Sequence, residues 1–228
     1  MSIGNRVFLK RPMVSDEVLK RLEEMPSSIV GDAMGRAHSM SMKRVLDKHM
    51  LGRAVTVKAP AGDNFMFYKA MQMAQPGDVI VVDGEGFDNR AIFGDIMGAV
   101  ALSQGIKGVV INGSIRDVKE LEKMELPVYY KYLSPNGPLQ NGPGEINVPI
   151  SIDNEVIYPG DIIVGDQDGL ISIRPHEVES LFKAMDDKIA SEKEELATIA
   201  NGEYSLDWIN EKTKDIETEI VDDEYNSF

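Results

Sequence analysis

Two short groups of residues carry backbone and side-chain groups that could act together in one chemical site. The first group is Gly94-Asp95-Ile96-Met97, and the second, Arg116-Asp117, follows Asp95 after twenty intervening residues. A glycine at the start of a helix lets a ligand approach the backbone closely. The first N–H groups of that helix, here those of Ile96 and Met97, have no partner within the helix and form an anion site.

The second group adds two opposite charges. The guanidinium of Arg116 can bind a carboxylate or a keto oxygen through two hydrogen bonds. The carboxylate of Asp117 can hold a hard cation, since Mg²⁺ accepts one protein carboxylate together with waters and substrate oxygens. The two groups together therefore suit a small oxo acid. A structural interpretation stays open, in which Asp95 caps a helix and Arg116-Asp117 is an ordinary surface ion pair.

The elements predicted around these groups bring them to one edge of a sheet. Residues 78–83 and 108–112 are nearly continuous β-branched or apolar runs, typical of strands buried on both faces. Residues 95–104 fit a helix that ends at Gly105. Strand, helix and strand at this spacing predict a right-handed βαβ unit with parallel strands. Ligands bind outside the carboxyl ends of such strands, so both groups are expected to face one crevice.

The remaining predicted elements complete an α/β chain. Residues 133–144 hold six prolines and glycines and are predicted as a loop, as are residues 84–89, and residues 112–114 are predicted as a turn. Pro76-Gly77-Asp78 is nearly repeated at Pro159-Gly160-Asp161, which predicts turns capped by aspartate. Helices are predicted over 16–24, 28–34, 65–74 and from Pro175 towards Gly202, and strands over 53–58, 146–152, 155–158, 161–164 and 169–173.

Composition excludes several classes of protein. The chain has 228 residues, of which 38 are acidic and 24 basic, giving a net charge of −14. Because nucleic-acid backbones are bound by clustered lysine and arginine, no nucleic-acid partner is expected. The sequence has no cysteine, which excludes disulfides, thiol nucleophiles and cysteine-bound metals. No apolar run of eighteen residues occurs, so we expect a cytoplasmic protein with no membrane partner.

Other common sites are absent from the sequence. The three histidines, His38, His49 and His176, lack the spacing of metal ligands. No nucleophile elbow, phosphate loop or dinucleotide-binding glycine motif occurs. The sequence therefore has no nucleoside-binding loop that would support methyltransferase activity.

The combined pattern resembles a known family. Gly94-Asp95, twenty residues and Arg116-Asp117, with Gly105, Gly108, Val110 and Gly113 between them and Pro76-Gly77-Asp78-Val79 before them, resemble the family of class II 4-hydroxy-4-methyl-2-oxoglutarate aldolases and the regulator of ribonuclease E activity A, called RraA-like. Asp32-Ala33-Met34-Gly35-Arg36, Pro159-Gly160-Asp161 and Asp166-x-Asp168-Gly169 fit the same family. The resemblance covers roughly residues 27–199.

The resemblance implies a fold and an assembly. The fold would be an α/β swivelling β/β/α domain, with the central βαβ unit, over residues 1–202. Beyond residue 202 the chain is longer and more acidic than the family core requires, and we expect an acidic C-terminal helix and tail over 203–228. The chains would form a homotrimer or a homohexamer with sites between subunits, to which a neighbouring subunit gives an acidic group. Glu192, Glu194 and Glu195 are candidates for that group but are left outside the site, because such a run is usually a solvated helix face.

The resemblance also implies residue roles in a divalent-metal-dependent lyase. Asp117 would be the metal ligand, with Mg²⁺ as the expected cation and Mn²⁺ as the alternative. Arg116 would bind the pyruvyl oxygens and stabilise an enolate. Gly94, Asp95, Ile96 and Met97 would form the substrate loop, with Asp95 holding a water molecule that carries a proton.

Two functions follow as hypotheses. The first is retro-aldol cleavage of 4-hydroxy-4-methyl-2-oxoglutarate and similar acids to pyruvate, or decarboxylation of oxaloacetate, each through a pyruvate enolate. The second is a protein-binding regulator that resembles the ribonuclease inhibitor branch and docks an acidic surface on an arginine-rich partner. Dependence on Asp117 would distinguish the two.

Overall fold

The structure, a computed structural model, describes residues 3–225 and divides into two compact units. The first unit ends at Asp186, and the second begins at Asp187. The domain predicted from the sequence spans residues 1–202, so its last residues belong to the second unit. Residues 226–228 of the predicted acidic extension lie outside the described residues.

The described residues form seven helices and twelve strands. The helices are α1 (Asp16–Leu22), α2 (Ser27–Ala33), α3 (Phe65–Met73), α4 (Asp95–Ser103), α5 (Val118–Glu122), α6 (Val178–Ala200) and α7 (Trp208–Asp215). The strands are β1 (Arg6–Val7), β2 (Ser39–Met40), β3 (Lys43–Arg44), β4 (Met50–Lys58), β5 (Asp78–Phe93), β6 (Gly108–Ile115), β7 (Val128–Leu133), β8 (Glu145–Ile146), β9 (Ile150–Ile152), β10 (Glu155–Ile157), β11 (Ile162–Gly165) and β12 (Leu170–Ile173).

A ten-stranded sheet organises the first unit. At its centre lie four parallel strands in the order β4, β5, β6 and β7. Strand β11 pairs antiparallel with β4, β12 with β11, and β2 with β12, while β3 pairs antiparallel with β7. Strand β8 pairs with both β4 and β1, and β9 and β10 form a separate hairpin. The predicted parallel βαβ unit is confirmed as β5, α4 and β6.

Apolar cores cover both faces of the central strands. Ile80 and Val82 of β5 belong to one core, whereas Val79 and Val81, which alternate with them, belong to another. A third core packs α1, α2 and the start of α6 against β11 and β12, with Phe182 among its members. Burial of one such side chain contributes about 1.5–3 kcal/mol. The prediction that the β-branched runs are strands buried on both faces is therefore confirmed.

The predicted loop over residues 84–89 is wrong, because the chain stays in the sheet there. Strand β5 runs without a break to Phe93 and stays paired with β6 through three register shifts. Extra residues of β5 are thus accommodated as bulges. Gly84 lies so close to β6 that a Cβ atom would be 3.1 Å from the carbonyl oxygen of Asn112. The glycine therefore permits a close strand approach and does not end the strand.

The predicted turn over residues 112–114 is also wrong, since β6 continues to Ile115. Asn112 Nδ2 donates to Asp83 Oδ1 at 2.8 Å, and Ser114 Oγ donates to the carbonyl of Asp88 at 2.8 Å. These polar side chains bind the bulged part of β5. They therefore maintain strand pairing at the point where turn-forming residues were expected to end it.

Several elements lie outside the predictions. Helix α5 and strand β7 follow Asp117, where the sequence predicts no element. The predicted strand over 146–152 is divided into β8 and β9, because Asn147 between them has a left-handed backbone with φ of 56°. The last long helix begins at Val178, and Pro175 lies in the turn before it.

The two repeated Pro-Gly-Asp turns have the predicted structural role. Asp78 Oδ2 accepts the N–H of the residue three positions earlier at 2.7 Å, and Asp161 Oδ2 does the same at 2.8 Å. Both aspartates are fully buried, and each contacts an arginine. Arg11 Nη2 lies 2.5 Å from Asp78 Oδ1, and Arg174 Nη1 lies 3.4 Å from Asp161 Oδ2. The prediction that these aspartates cap turns is confirmed.

The second unit contains the end of α6 and all of α7. No residue of α7 is buried. No helix within residues 3–225 combines the length and the apolar character that crossing a bilayer requires. Up to residue 225, the large apolar side chains of this unit are all exposed, namely Ile189, Leu196, Ile199, Tyr204, Leu206, Trp208, Ile209, Ile216, Ile220, Val221 and Tyr225.

Candidate active site

The carboxyl ends of β5 and β6 bring the two predicted groups together. The last paired residues are Phe93 of β5 and Ile115 of β6, so Gly94 and Arg116 follow at neighbouring positions. The N–H of Arg116 donates to the carbonyl of Phe93 at 3.0 Å, which extends the pairing by one more bond. The rule that parallel strands end at one edge therefore places these residues side by side.

Gly94 is in direct contact with the second group. Its backbone is extended, with φ of −160°, so any residue could adopt this conformation. A Cβ atom here, however, would lie 2.5 Å from Asp117 Oδ2 and 3.3 Å from Arg116 Nε. Glycine is required at this position because a side chain would occupy the space of the Asp117 carboxylate.

Asp117 has an unusual backbone and a charged neighbour. Its φ of 58° and ψ of 36° are left-handed, a conformation that costs a non-glycine residue of order 1 kcal/mol. The Asp117 carbonyl accepts the N–H groups of Glu120 and Leu121, both at 3.0 Å, which begins α5. Asp117 Oδ2 lies 3.2 Å from Arg116 Nε, with 35% of the Asp117 side chain exposed. Other non-glycine residues in the described chain are left-handed too, so the solvent-accessible carboxylate next to Arg116 is what distinguishes Asp117.

At the start of α4, one of the two N–H groups that were expected to be free already has a partner. The N–H of Ile96 donates to Oδ1 of Asp95 at 2.8 Å, and the N–H of Asp95 lies 3.5 Å from Asp117 Oδ2. Asp95 therefore covers one expected donor with its own carboxylate. Ile96 is 68% exposed, whereas Met97 is buried. Rotation of the Asp95 side chain would release the Ile96 N–H for a ligand.

A cavity of about 130 Å³ collects most of the predicted residues. Asp117 does not line it but contacts Arg116, which does. Larger cavities occur elsewhere in the first unit, so the chemical groups and not the volume distinguish this one. Its lining residues are Asn64, Tyr68, Ala91, Ile92, Phe93, Gly94, Asp95, Ile96, Met97, Arg116, Pro138 and Gln140.

Asn64 is a site residue that the sequence does not reveal. It is 2% exposed, and its Nδ2 donates to the carbonyl of Ile92 at 3.3 Å and to Met97 Sδ at 3.4 Å. Its Oδ1 is buried without a hydrogen-bond partner in the described structure. An asparagine immediately before a helix is normally interpreted as a cap, but this side chain makes no capping bond. A buried acceptor without a partner beside a cavity is a place for a ligand donor.

The loop rich in proline and glycine forms one wall of the cavity. It contributes Pro138 and Gln140, and a Cβ atom at Gly137 would lie 3.3 Å from Arg116 Nη1. The carboxylate of Asp63, which is 3% exposed, accepts the N–H of Asn141 at 2.6 Å.

Further hydrogen bonds hold this loop in place. The Asp63 carboxylate also accepts the N–H of Gly142 at 3.0 Å. Arg90 Nη1 donates to the carbonyl of Gly137 at 3.1 Å. The predicted loop is confirmed over residues 134–144, apart from an isolated bridge between Leu139 and Asp63, whereas Leu133 is the last residue of β7. The hydrogen bonds above fix the position of the loop beside Arg116.

The residues present fit a hydrated divalent cation at Asp117. Oδ1 of Asp117 makes no hydrogen bond or ion pair within residues 3–225, so it is available as a ligand. The same residues contain no group of three or more histidine, aspartate or glutamate side chains placed to hold a metal ion. One carboxylate with waters and substrate oxygens is an arrangement that Mg²⁺ accepts.

The glutamates left outside the site belong to α6 in the second unit. Glu192 Oε1 lies 3.1 Å from Lys188 Nζ. Glu194 and Glu195 are exposed.

Comparisons with known proteins identify similar sequences. The RraA-like family model, described as Aldolase/RraA, matches residues 14–172. A protein from Halalkalibacterium halodurans, named as a candidate 4-hydroxy-4-methyl-2-oxoglutarate aldolase, is 34% identical over 180 residues, which cover 78% of this chain and 86% of that protein. An uncharacterised protein from Methanocaldococcus jannaschii is 30% identical over 172 residues, covering 74% of this chain and 83% of that protein.

Solved structures show the same fold. The RNA-processing inhibitor RraA from Thermus thermophilus is 27% identical, with a TM-score of 0.62, over 66% of this chain and 93% of that one. A Streptomyces coelicolor member of the RNase ES inhibitor RraA family is 22% identical, with a TM-score of 0.72, over 83% of this chain and 98% of that one. The predicted RraA-like α/β fold is confirmed.

Proposed function

This chain belongs to the RraA-like family, described as Aldolase/RraA, and from that premise we propose that it is a lyase that releases pyruvate from 4-hydroxy-2-oxo acids or from oxaloacetate, with a divalent cation as its cofactor. The cavity beside Arg116 carries this proposal, because it joins a guanidinium, a helix start and an acceptor without a partner. The name of a 34% identical relative, a candidate 4-hydroxy-4-methyl-2-oxoglutarate aldolase, supports the reaction class.

Arg116 would bind the pyruvyl part of the substrate. Its guanidinium lines the cavity, and 40% of its side chain is exposed. It can donate to the C2 keto oxygen and to one oxygen of the C1 carboxylate. When the C3–C4 bond breaks, its electron pair forms the enolate and negative charge grows on the C2 oxygen. A fixed positive charge beside that oxygen stabilises the transition state more than the substrate.

Asn64 would orient the C4 hydroxyl, and Asp95 would accept its proton. Asn64 Oδ1 can accept a hydrogen bond from the hydroxyl and so orient it. The Asp95 carboxylate can take the hydroxyl proton, directly or through a water, as C4 becomes a carbonyl. A proton is then returned to C3 of the enolate to give pyruvate. In oxaloacetate C4 leaves as carbon dioxide, so only the final proton transfer is needed.

Asp117 would hold the cation, and Gly94 leaves room for its carboxylate. The cation would supply further positive charge at the keto oxygen and the carboxylate of the substrate.

The first experiment measures pyruvate release from 4-hydroxy-4-methyl-2-oxoglutarate and from oxaloacetate. Wild type, Asp117→Ala and Arg116→Ala are compared with Mg²⁺, with Mn²⁺ and with a chelator. Turnover should need the cation and should fall about 10²–10³-fold in either variant, the usual cost of losing one preorganised contact. Glu122→Gln, an exposed carboxylate on α5, is the matched control and should keep wild-type turnover.

A second set of variants tests the role of Asn64. Asn64→Ala removes the acceptor, and we expect kcat/KM to fall about tenfold, the effect of one lost hydrogen bond. The loss should be greater for the 4-hydroxy acid than for oxaloacetate, which has no C4 hydroxyl. An equal loss for both substrates would show that Asn64 only supports the cavity wall.

The competing function is a protein-binding regulator. Similarity to the Thermus inhibitor and the net charge of −14 favour it. An acidic protein that docks on an arginine-rich segment should bind such a peptide in a salt-sensitive manner. Binding unchanged by Asp117→Ala, together with no turnover above that of free cation, would establish the regulator and overturn the lyase.

A further inference from the structure

The first unit contains a second cavity whose lining shares no residue with the one beside Arg116. Its volume is about 730 Å³, within the usual range for small-molecule sites. Four segments form it: β1 with the chain after it, the turn after β8, the turn before β11 and the residues after β12. None of these segments has a part in the reaction proposed above.

The lining is basic in a chain that is strongly acidic overall. Arg6, Lys10, Arg11 and Arg174 carry positive charge, and Asp161 is the only carboxylate among the lining residues, whereas the whole chain has a net charge of −14. Arg6 and Arg11 are already paired with carboxylates outside the lining.

Lys10 and Arg174 are the two cations that a ligand could reach, although Arg174 is also paired with Asp161 and keeps only 28% of its side chain exposed. Lys10 is exposed and has no ion-pair partner within residues 3–225. The guanidinium of Arg174 lies 3.4 Å from the centre of the Tyr158 ring, and Nη1 is 3.4 Å from Asp161 Oδ2. The stacked guanidinium is held in a fixed orientation.

Two buried acceptors in the same lining have no partner. Asp161 is fully buried and Asn147 is 6% exposed, and within the described structure the Oδ1 atom of each makes no hydrogen bond. Their other polar atoms are occupied, since Asp161 Oδ2 accepts Ser172 Oγ at 3.0 Å and Asn147 Nδ2 donates to the carbonyl of Phe8 at 2.8 Å. These bonds fix both side chains, and each keeps one acceptor atom, Oδ1, without a donor in the described part of the chain. Such acceptors need a donor.

The cations and the acceptors without a partner favour different chemical features in a single ligand. Cations at Lys10 and Arg174 favour an anion, and a phosphate dianion suits two of them. The free oxygens of Asp161 and Asn147 favour hydroxyl donors and would repel a bare anion. Burial also raises the pKa of Asp161. We propose that this cavity is a second binding site, for a hydroxylated organic phosphate of the sugar phosphate class.

Calorimetric titration of the full-length protein with ribose 5-phosphate tests the proposal. Inorganic phosphate has the anion without hydroxyls, and ribose has the hydroxyls without the anion. We expect saturable binding of ribose 5-phosphate and at least tenfold weaker binding of the other two. Equal affinity for inorganic phosphate would reduce the site to an anion site, and no saturable binding of ribose 5-phosphate would overturn the proposal.

Variants locate the binding in this cavity. Lys10→Ala should weaken binding of ribose 5-phosphate about tenfold or more, because it removes a charged hydrogen bond, and Lys10→Arg should restore it. Lys43→Ala, at an exposed lysine outside the cavity lining, is the matched control and should bind as wild type. Binding that is unaffected by Lys10→Ala would place the ligand elsewhere.

Binding of ribose 5-phosphate in this cavity does not depend on the proposed lyase activity. Asp117→Ala should keep full binding of ribose 5-phosphate, since Asp117 is not part of this lining. Loss of binding in Asp117→Ala would show that ribose 5-phosphate occupies the other cavity.

Discussion

At the scale of single residues, the contact between Gly94 and Asp117 is the tightest constraint on the candidate active site. The glycine follows one strand and the aspartate is the second residue after its neighbour, and nothing larger than hydrogen fits between them. The left-handed backbone of Asp117 turns the chain into α5 at this point. A small substitution at Gly94 should therefore lower catalytic activity more than it lowers the stability of the fold.

Gly94→Ala tests this constraint. The new methyl group would lie 2.5 Å from Asp117 Oδ2 and must displace that carboxylate. We expect kcat/KM for pyruvate release to fall about 10²-fold, with a thermal midpoint within a few degrees of wild type. Gly113→Ala is the control, because a Cβ atom there would have only ordinary contacts at 3.6 Å and beyond. Similar losses in both variants would refute the steric explanation.

At the scale of elements, Asp166 connects the turn after β11 to the start of α2. Its carboxylate accepts the N–H and the hydroxyl of Ser27 at 2.7 and 2.6 Å, and the N–H of Asp168 at 2.9 Å. Burial opposes ionisation of this carboxyl, but these hydrogen bonds outweigh it and lower the pKa of Asp166. The ionised form of Asp166 therefore stabilises the fold.

Asp166→Asn should decrease the free energy of unfolding by about 1–3 kcal/mol at neutral pH. Because the folded pKa lies below the unfolded one, the contribution of Asp166 is complete above the unfolded pKa and is lost as the pH falls through the folded pKa. The difference between variant and wild type, measured by urea unfolding, should therefore shrink in acid. Asp168→Asn, at an exposed neighbour, should show no such difference. If the difference in the free energy of unfolding between Asp166→Asn and wild type stayed constant down to acid pH, the ionised form of Asp166 would not be the stabilising one.

The buried Asp63 plays a comparable part for the loop over residues 133–144. Asp63→Ala leaves N–H groups of Asn141 and Gly142 without their acceptor. We expect a loss of about 1–3 kcal/mol in the free energy of unfolding and a fall in kcat/KM of about tenfold, because the loop carries a wall of the cavity. Asp88→Ala, at an exposed carboxylate of β5, should change neither. Wild-type turnover in Asp63→Ala would show that the loop position is unimportant for chemistry.

Local patterns in the sequence predict the centre of the sheet and one half of the site. The runs in β5 and β6, with Gly105 ending the helix between them, are local signals, and they place Gly94 next to Arg116. The bulges of β5 depend on side chains of β6 such as Asn112, which no local pattern shows. Asn64 enters the cavity through long-range contacts, so its role could not be predicted.

At the scale of the whole molecule, the exposed apolar side chains of the second unit are where we expect chains to associate. Leu196 is 65% exposed and Trp208 is 57% exposed. Contiguous exposed apolar patches mark interaction sites. The homotrimer or homohexamer implied by the family therefore remains our prediction.

Light scattering should give a particle of three or six times the 25.2 kDa chain. The double variant Leu196→Glu and Trp208→Glu should shift the protein towards smaller species, because buried charges oppose association. Lys212→Glu, a change of charge in α7 without loss of apolar surface, is the control. A monomeric wild type would contradict the prediction, and so would a double variant that assembles normally.

The attachment of the loop beside Arg116 has a consequence for how this family can diversify. The anchors that hold it, such as the carboxylate of Asp63, bind backbone N–H groups, which almost every amino acid provides. Its side chains at positions such as 140 can therefore be exchanged by mutation while the backbone path is preserved. Mutation at such positions could therefore change which small molecule the cavity accepts while the fold around it is unchanged.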